Sequence, residues 1–433
     1  MSEDLRFPDH FLFGTATAAT QVEGHCDDSD WAAFAREPGR VHGGDTPAVA
    51  CDQLHRFRDD VALQARLGMG AHRLSIEWAR IERRPGEFDG AAWDHYREVL
   101  GAHRDAGIVP MVTLHHFTLP QWLAERGGLL SPDLPALLTR FSERAAAALG
   151  DLCGLWVTIN EPNIVAVQSH LLGLWPPGHR SPAEAVRAHQ NLLRAHESMY
   201  RAMHEVAGRR GHSLQVGVAH HLRVIEPRRP ERLGDRVGAA LFKRIFNDAF
   251  ARAACARRTQ DFFGINYYSR DRIHLSSRRR REGYLVRSVA PGAEVSDLGW
   301  EIYPEGLGRV LDEWWPRARV PIYITENGIA DAADDRRPRF LVRHLAEIAR
   351  AIARGVDVRG YMHWSLLDNF EWAEGYTPRF GLVRVDYATQ ERHPRPSAEI
   401  YARIARARRI EAELFQPRSV RDTRLKRAQG HDP

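Results

Sequence analysis

Eight short apolar runs recur along the chain, and a long amphipathic stretch follows most of them. They are FLFGTA (11–16), AHRLSIEW (71–78), VPMVTLHH (109–116), LWVTIN (155–160), LQVGVAHH (214–221), FFGINYY (262–268), VPIYITE (320–326) and RGYMHWSLL (359–367). Runs of this length, rich in β-branched and aromatic residues, read as buried strands. The segments between them carry helical periodicity, as in DDVALQARLG and RFLVRHLAEIARAIARG, the second of which stops at Gly355. Eight such alternations predict an α/β fold, a single (β/α)8 TIM barrel, and not an open sheet. A length of 433 residues is large for one domain, but barrels of this kind accommodate it. Residues 1–411 are assigned to the barrel, and the polar, basic residues 412–433 are expected as a surface-lying or disordered tail.

Composition narrows the function classes. No apolar run reaches the ~18 residues of a membrane span. The opening MSEDLRFPDHFLFG is acidic where an export signal is basic. Cys26, Cys51, Cys153 and Cys255 are scattered, with no CxxC pair, so a cytoplasmic setting is expected and neither a zinc knuckle nor a disulfide framework. The net charge of +5 rests on arginine, since Lys243 and Lys426 are the only lysines; it reads as compositional bias and not as a nucleic-acid footprint. The run Arg278–Arg281 is expected in a solvated loop, HLSSRRRREGYL, with a surface for an anionic partner as the lesser alternative.

In a parallel barrel the site is built where the strands end. The eight runs lead in turn into Gln21 and Glu23; Arg73, Ser75 and Glu77; His115 and His116; Asn160 and Glu161; His220 and His221; Asn266, Tyr267 and Tyr268; Glu326, Asn327 and Gly328; and Trp364, with Asp368, Glu371 and Trp372 beyond it. One polar ending means little, but eight at one end describe a polar pocket lined with aromatic rings. Glu161 and Glu326 end the fourth and seventh runs, three places apart in a ring of eight, and so face each other across its mouth. Opposed carboxylates beside tryptophans suit glycoside cleavage: one gives a proton to the leaving oxygen, and the other, ionised, attacks the anomeric carbon. A separation near ~5.5 Å gives retention through a covalent intermediate. Arg73 and Tyr268 suit the task of keeping Glu326 ionised. Asn160 suits a sugar 2-hydroxyl, Trp364 a pyranose face, and Gln21, His116, Glu371 and Trp372 the other hydroxyls. Tyr267 faces away from Tyr268, since neighbours on a strand alternate. Glu23 and Glu77 read as structural, Asp368 and Glu374 as fixing the Glu371 loop, and His115, His220 and His221 as packed residues behind the site.

The segments FLFGTATAATQVEG, RLSIEWARI, VTLHHFTLPQWL, WVTINEPN, FFGINYYS, GWEIYPEGL, IYITENGI and GYMHWSLLDNFEWAEGYTPRFGLVRVDY together resemble family 1 glycoside hydrolases, the β-glucosidases and their relatives. The resemblance runs nearly the whole chain. It implies a retaining β-glycosidase acting on terminal β-D-glucosyl residues of O-glycosides, and on β-D-galactosyl or β-D-fucosyl residues as well. It implies Glu161 as acid/base and Glu326 as nucleophile, with Arg73, Asn266 and Tyr268 in support. Gln21, His116, Asn160, Glu371 and Trp372 fall on the sugar hydroxyls and Trp364 beneath the ring. Phe117–Thr118 depart from the usual Trp-Asp and remove an indole donor at the sugar O3. The pair Glu371–Trp372 implies a non-phosphorylated sugar, and the intact Glu161 implies O-glycosides over thioglucosides. Trp300 is expected as an aglycone-side wall. The chain is somewhat short for the family, which implies trimmed loops at the barrel mouth.

The chemistry calls for no cofactor and no metal. The expected partner is a small-molecule β-glycoside, not a nucleic acid or a membrane, and a homo-oligomer is left open. Three alternatives stand beside this reading. One is a transglycosidase using the same site with a specific acceptor. Another is a non-catalytic carbohydrate-binding barrel, which loss of either glutamate would have signalled. The third is a metal-dependent barrel hydrolase on His115, His116, His220 and His221, whose first run lacks the histidine it needs.

Overall fold

The structure, a computed structural model, describes residues 5–280 and 283–415 of the chain. Eight parallel strands close into a barrel in chain order: β1 (Leu12–Ala16), β2 (Ala71–Ser75), β3 (Val109–His115), β4 (Leu155–Asn160), β5 (Gln215–His221), β6 (Phe262–Asn266), β7 (Ile322–Asn327) and β8 (Val358–Trp364). Every apolar run of the sequence becomes one of them. β8 pairs back on β1, from Gly360 opposite Leu12 to Trp364 opposite Ala16, so the sheet has no free edge. The strands are buried on both faces, which is why their runs are continuously apolar and do not alternate.

The helical stretches form the outer layer, among them Gln53–Arg66, Gly90–Asp105, Leu134–Leu149, Pro182–Arg210, Pro304–Ala318, Arg337–Ala353 and Pro396–Ala407. Each turns an apolar stripe to the barrel wall: Leu138, Phe141 and Ala145 on one, Leu341, Leu345 and Ile348 on another, all fully buried. Arg337–Ala353 ends as its sequence predicts, with Gly355 at φ 93° and its N–H donated to the Ile352 carbonyl. Inside the ring, Ala71, Met111, Val157, Phe262, Tyr323 and Met362 pack together. They fill the interior, so the mouth above them is a cup and not a pore.

The helix Pro396–Ala407 covers the β8–β1 seam. Its Tyr401 hydroxyl lies 2.8 Å from the Gly14 carbonyl of β1 and 3.2 Å from the Tyr361 carbonyl of β8. Just beyond, Arg409–Ile410 pairs antiparallel with Leu5–Arg6.

The loop expected around Arg278–Arg281 is corrected. Arg270–Arg280 is a strand, antiparallel to Gly283–Ser288 and parallel to Val224–Pro227. The cause is a two-residue alternation: Ile273 is buried, and Leu275 pairs with Leu285 across the hairpin. Arg281 itself lies outside the described residues. Of the tail, Ala412–Phe415 forms a short 3-10 turn, and 416–433 lie outside the described residues. No helix among the described residues is long and apolar enough to cross a membrane.

Candidate active site

Glu326 sits near the end of β7 and is 3% exposed. The sequence Thr-Glu-Asn-Gly ends this strand because the backbone then passes against β8: a Cβ on Gly328 would lie 1.7 Å from the Trp364 carbonyl oxygen. Arg73, from the middle of β2, is fully buried and donates in four directions. Its Nη1 reaches Glu326 Oε1 at 2.5 Å and the Thr325 carbonyl at 3.2 Å; Nη2 reaches Asn160 Oδ1 at 2.7 Å, and Nε the Thr113 hydroxyl at 3.0 Å. The Tyr268 hydroxyl donates to the other Glu326 oxygen at 2.7 Å. Arg73 and Tyr268 thus stand where the sequence put them. Tyr267 turns outward, donating to the Tyr303 carbonyl at 2.7 Å.

Across the mouth, β4 ends at Asn160, and Glu161 follows in the left-handed region with φ 44°. Pro162 then opens a short helix, Pro162–Ala166. Phe117 and Trp372, also at the pocket, have φ of 72° and 52°. Left-handed backbone on such residues costs on the order of 1–3 kcal/mol each and persists only where the surroundings impose it. Glu161 Oε1 accepts from Asn266 Nδ2 at 2.8 Å and lies 2.9 Å from His221 Nδ1. Asn266 Nδ2 also donates to Asn160 Oδ1 at 3.0 Å, and its own Oδ1 accepts from the Thr325 hydroxyl at 2.6 Å. The resemblance grouped Asn266 with the nucleophile, but its side chain lies on Glu161.

His221 is packed behind the site as expected, and from there it is hydrogen-bonded to Glu161. Its Nε2 receives Arg223 Nε at 2.7 Å, and Arg223 Nη1 donates to Asp271 Oδ2 at 2.9 Å. The sequence reading missed Arg223 and Asp271. A signal for Arg223 was available, since residues two apart on an extended segment share a face, as His221 and Arg223 do. Asp271, forty-eight positions further along, gave none.

The donors fix the protonation pattern. Arginine only donates, so His221 Nε2 is the bare nitrogen and Nδ1 carries the hydrogen that goes to Glu161. Burial holds the imidazole below its usual pKa, so it is neutral. Burial raises the Glu326 carboxyl, up to about 7, against the pull of Arg73, while the charge on Glu161 pushes it further up and Tyr268 draws it down. Burial also raises Glu161, but His221, Asn266 and Arg223 draw it below the usual glutamate value. The two carboxyls titrate together. The last proton falls to the one with the weaker ionic support. Glu326 has a permanent cation hydrogen-bonded to one oxygen, whereas the groups donating to Glu161 are neutral and Arg223 stands one residue further back, behind His221; this support favours the ionised form of Glu326 and the protonated form of Glu161. Burial raises both carboxyls, so the guanidinium bonded to Glu326 is what separates them. Burial and the nearby carboxylates keep the Tyr268 phenol well above its ordinary value, so it remains a donor.

A ring of polar groups faces the same cup. Gln21, fully buried, donates from Nε2 to the Phe370 carbonyl at 2.8 Å and to Asn369 Oδ1 at 3.0 Å, with Glu371 Oε2 at 3.4 Å. Its Oε1 has no partner among the described residues. His116 lies with Nε2 3.2 Å from Asn160 Nδ2, and its Nδ1 has no partner among the described residues. The His116 ring lies nearly parallel to those of Trp364 and Trp372. Glu371 is partly open to the pocket, and burial, with the charges of Glu326 and Glu161 adding to it, raises its carboxyl. Phe117 packs on Trp175 and Trp372, and Thr118 donates to Glu77, so neither replaces the donor of a Trp-Asp pair. Trp300 stands edge-on to Tyr268 at 5.6 Å between ring centres, on the Glu326 side.

Asp368 fixes the Glu371 loop through Arg395 and the Gly381 N–H, whereas Glu374 is exposed and contributes only its backbone N–H, to the Glu371 carbonyl. Glu23 and Glu77 are buried in their own network with Tyr96, Arg80, Thr20 and Thr118. Three histidines of the metal alternative go to separate partners, His116 to Asn160, His220 to Gln260 and His221 to Glu161, while neither His115 nitrogen has one among the described residues. Among the described residues, the groups able to share a metal ion are His25–Asp52–His55 and His170–His179–Glu184, which include none of them.

A closed α/β barrel whose mouth holds two opposed carboxyls, one on a buried cation, inside a ring of hydroxyl-binding groups and tryptophans, is the construction of a glycoside-cleaving enzyme. The model of glycosyl hydrolase family 1 matches residues 3–258 and 253–410. β-Glucosidase A of Thermotoga maritima is 33% identical, over 94% of this chain and 99% of its own. A β-galactosidase of Sulfolobus acidocaldarius is 32% identical, over 95% and 97%. The solved β-glycosidase of Pyrococcus horikoshii superposes with a TM-score of 0.88 at 35% identity, covering 96% of this chain and 99% of that one. The chain belongs to glycosyl hydrolase family 1 and is a glycoside hydrolase.

Proposed function

We propose that the protein is a retaining β-glycosidase with Glu326 as nucleophile and Glu161 as acid/base, and that residues 1–411 are its catalytic unit. The observation that carries this is the asymmetric support of the two carboxyls: Arg73 and Tyr268 on Glu326, neutral donors on Glu161. In the first half-reaction a Glu326 oxygen bonds to the anomeric carbon as the bond to the aglycone oxygen breaks. The bonding pair goes to that oxygen, which takes the proton of Glu161. In the second, Glu161 removes a proton from water, the water oxygen attacks the anomeric carbon, and the bond to Glu326 breaks. Asn160, held by Arg73 and Asn266, is assigned to the sugar 2-hydroxyl, where a hydrogen bond strengthens in the transition state.

The proposed substrate is a terminal β-D-glucosyl residue of an O-glycoside, with galactosyl and fucosyl residues also accepted. Two relatives are named for glucose and galactose, and Gln21 Oε1, His116 Nδ1 and Glu371 supply acceptors and donors that more than one epimer satisfies. Trp364 is assigned to the sugar face, Trp372 to a hydroxyl, and Trp300 to the aglycone side. Four unpaired cysteines suit a reducing, cytoplasmic setting. The test is a panel of aryl β-D-glycosides (gluco, galacto, fuco and 6-phosphogluco), with proton NMR of the first-formed anomer and Glu326→Ala in parallel. Turnover of the non-phosphorylated members, with β product and loss in the variant, is expected. An inverted product, or turnover confined to the 6-phospho member, would overturn the reading.

A further inference from the structure

Resting on that assignment of Glu161, we propose that His221 is its positioning residue. Through its own lock on Arg223 and Asp271 it directs the transferable proton to Glu161 Oε2 and sets the upper pH limit of the reaction. Glu161 Oε1 accepts two hydrogen bonds, from His221 Nδ1–H at 2.9 Å and from Asn266 Nδ2 at 2.8 Å. A carboxyl oxygen so occupied has no lone pair left for a proton, so the proton must sit on Oε2. A free carboxylic acid can carry its proton on either oxygen; this one cannot. Once the proton has left, the same two donors face a full carboxylate and bind it more strongly than the acid.

The direction of the His221 bond is itself imposed. With Arg223 Nε donating at 2.7 Å, a hydrogen on Nε2 would meet another hydrogen, so the opposite tautomer and the imidazolium are both excluded. Asp271 holds Arg223 in turn, and the His221 ring lies against Tyr268 at 5.9 Å and nearly parallel. His221 is buried, so no rotation into water competes. The charged groups around the pair are Glu326, Arg73 and Glu371 across the pocket and Arg223 with Asp271 behind. Of these, only the link through Arg223 reaches His221. His221 therefore works as a fixed N–H donor and not as a proton carrier.

The pH dependence of kcat/KM tests this. Its alkaline limb reports loss of the proton from Glu161 in the free enzyme. His221→Phe keeps a ring against Tyr268 but removes the donor, so Glu161 holds its proton more tightly and the alkaline limb moves up by about one pH unit. His221→Gln can donate an N–H to the same oxygen and is expected to return the limb toward the wild-type position. Arg223→Leu frees the tautomer and moves the limb in the same direction as His221→Phe, which keeps a measurement available if that variant does not fold. A uniform drop at every pH with both limbs in place, or no recovery in His221→Gln, would overturn the proposal and leave His221 a packing residue. These outcomes are distinct from failure of the functional reading, in which the wild-type protein turns over no glycoside or Glu326→Ala stays active.

Discussion

Arg73 donates to four acceptors at once, from a position where its side chain is 1% exposed. A cation so placed cannot be traded for another of the same charge. Arg73→Met removes the attraction that keeps Glu326 ionised, so the nucleophile's pKa rises. The reaction needs that group deprotonated, so the acidic limb of kcat/KM moves to higher pH, with a loss of about 100-fold or more even above the limb. Arg73→Lys keeps the charge but has no fork. It holds the limb near its original position while Asn160 loses its anchor, so kcat falls more than the limb shifts. If both variants shifted the limb equally, the geometry of the guanidinium would be irrelevant and its charge alone would matter.

At the scale of elements, the segment from Ser365 to Val383 carries Glu371 and Trp372 on irregular backbone, and one buried ion pair holds it. Asp368 accepts from Arg395 Nη1 at 3.0 Å, from Nη2 at 2.9 Å and from the Gly381 N–H at 3.0 Å. Breaking such a pair from one side leaves the buried Asp368 with only the longer contact to Arg379, at 3.6 Å, and costs up to about 3–5 kcal/mol. Arg395→Met should lower stability to urea by that amount and raise KM for the glycoside. The double change Asp368→Asn, Arg395→Met should cost less than the two single changes added, because neither charge is then stranded.

The strands of the barrel were legible because burial on both faces leaves eight continuous apolar runs, and the polar ends of those runs named most of the pocket. The hairpin at 270–288 was not, since its arginine-rich end hid a two-residue alternation that only Ile273 and Leu275 carry. Within the site, what escaped was second-layer contact between distant segments. Nothing near Asp271 in the sequence points to Arg223, and nothing in NEP says that the glutamate leans on a histidine of the next strand. Glu374 failed as a loop anchor for the opposite reason: proximity in sequence to Glu371 suggested a role that its exposed side chain does not have.

For the molecule as a whole, the closing seam matters most. Phe13 of β1 and Tyr361 of β8 both pack on Tyr401, whose hydroxyl reaches a carbonyl on each strand. Tyr401→Phe keeps the ring and loses the two bonds, at a cost of about 1 kcal/mol. A chain ending at Arg395 uncovers the seam altogether. It is expected to bind a hydrophobic dye and to melt without a sharp transition; a sharp melt with full activity would show that the helix is dispensable. The seam also joins the first barrel strand the ribosome makes to the last. At ordinary synthesis rates β1 waits on the order of half a minute for β8 to emerge, and a little longer for the helix that covers both. Throughout that interval the nascent chain presents an unpaired apolar edge, so the yield of active enzyme in a cell should depend on how fast it is translated and on what shields that edge meanwhile.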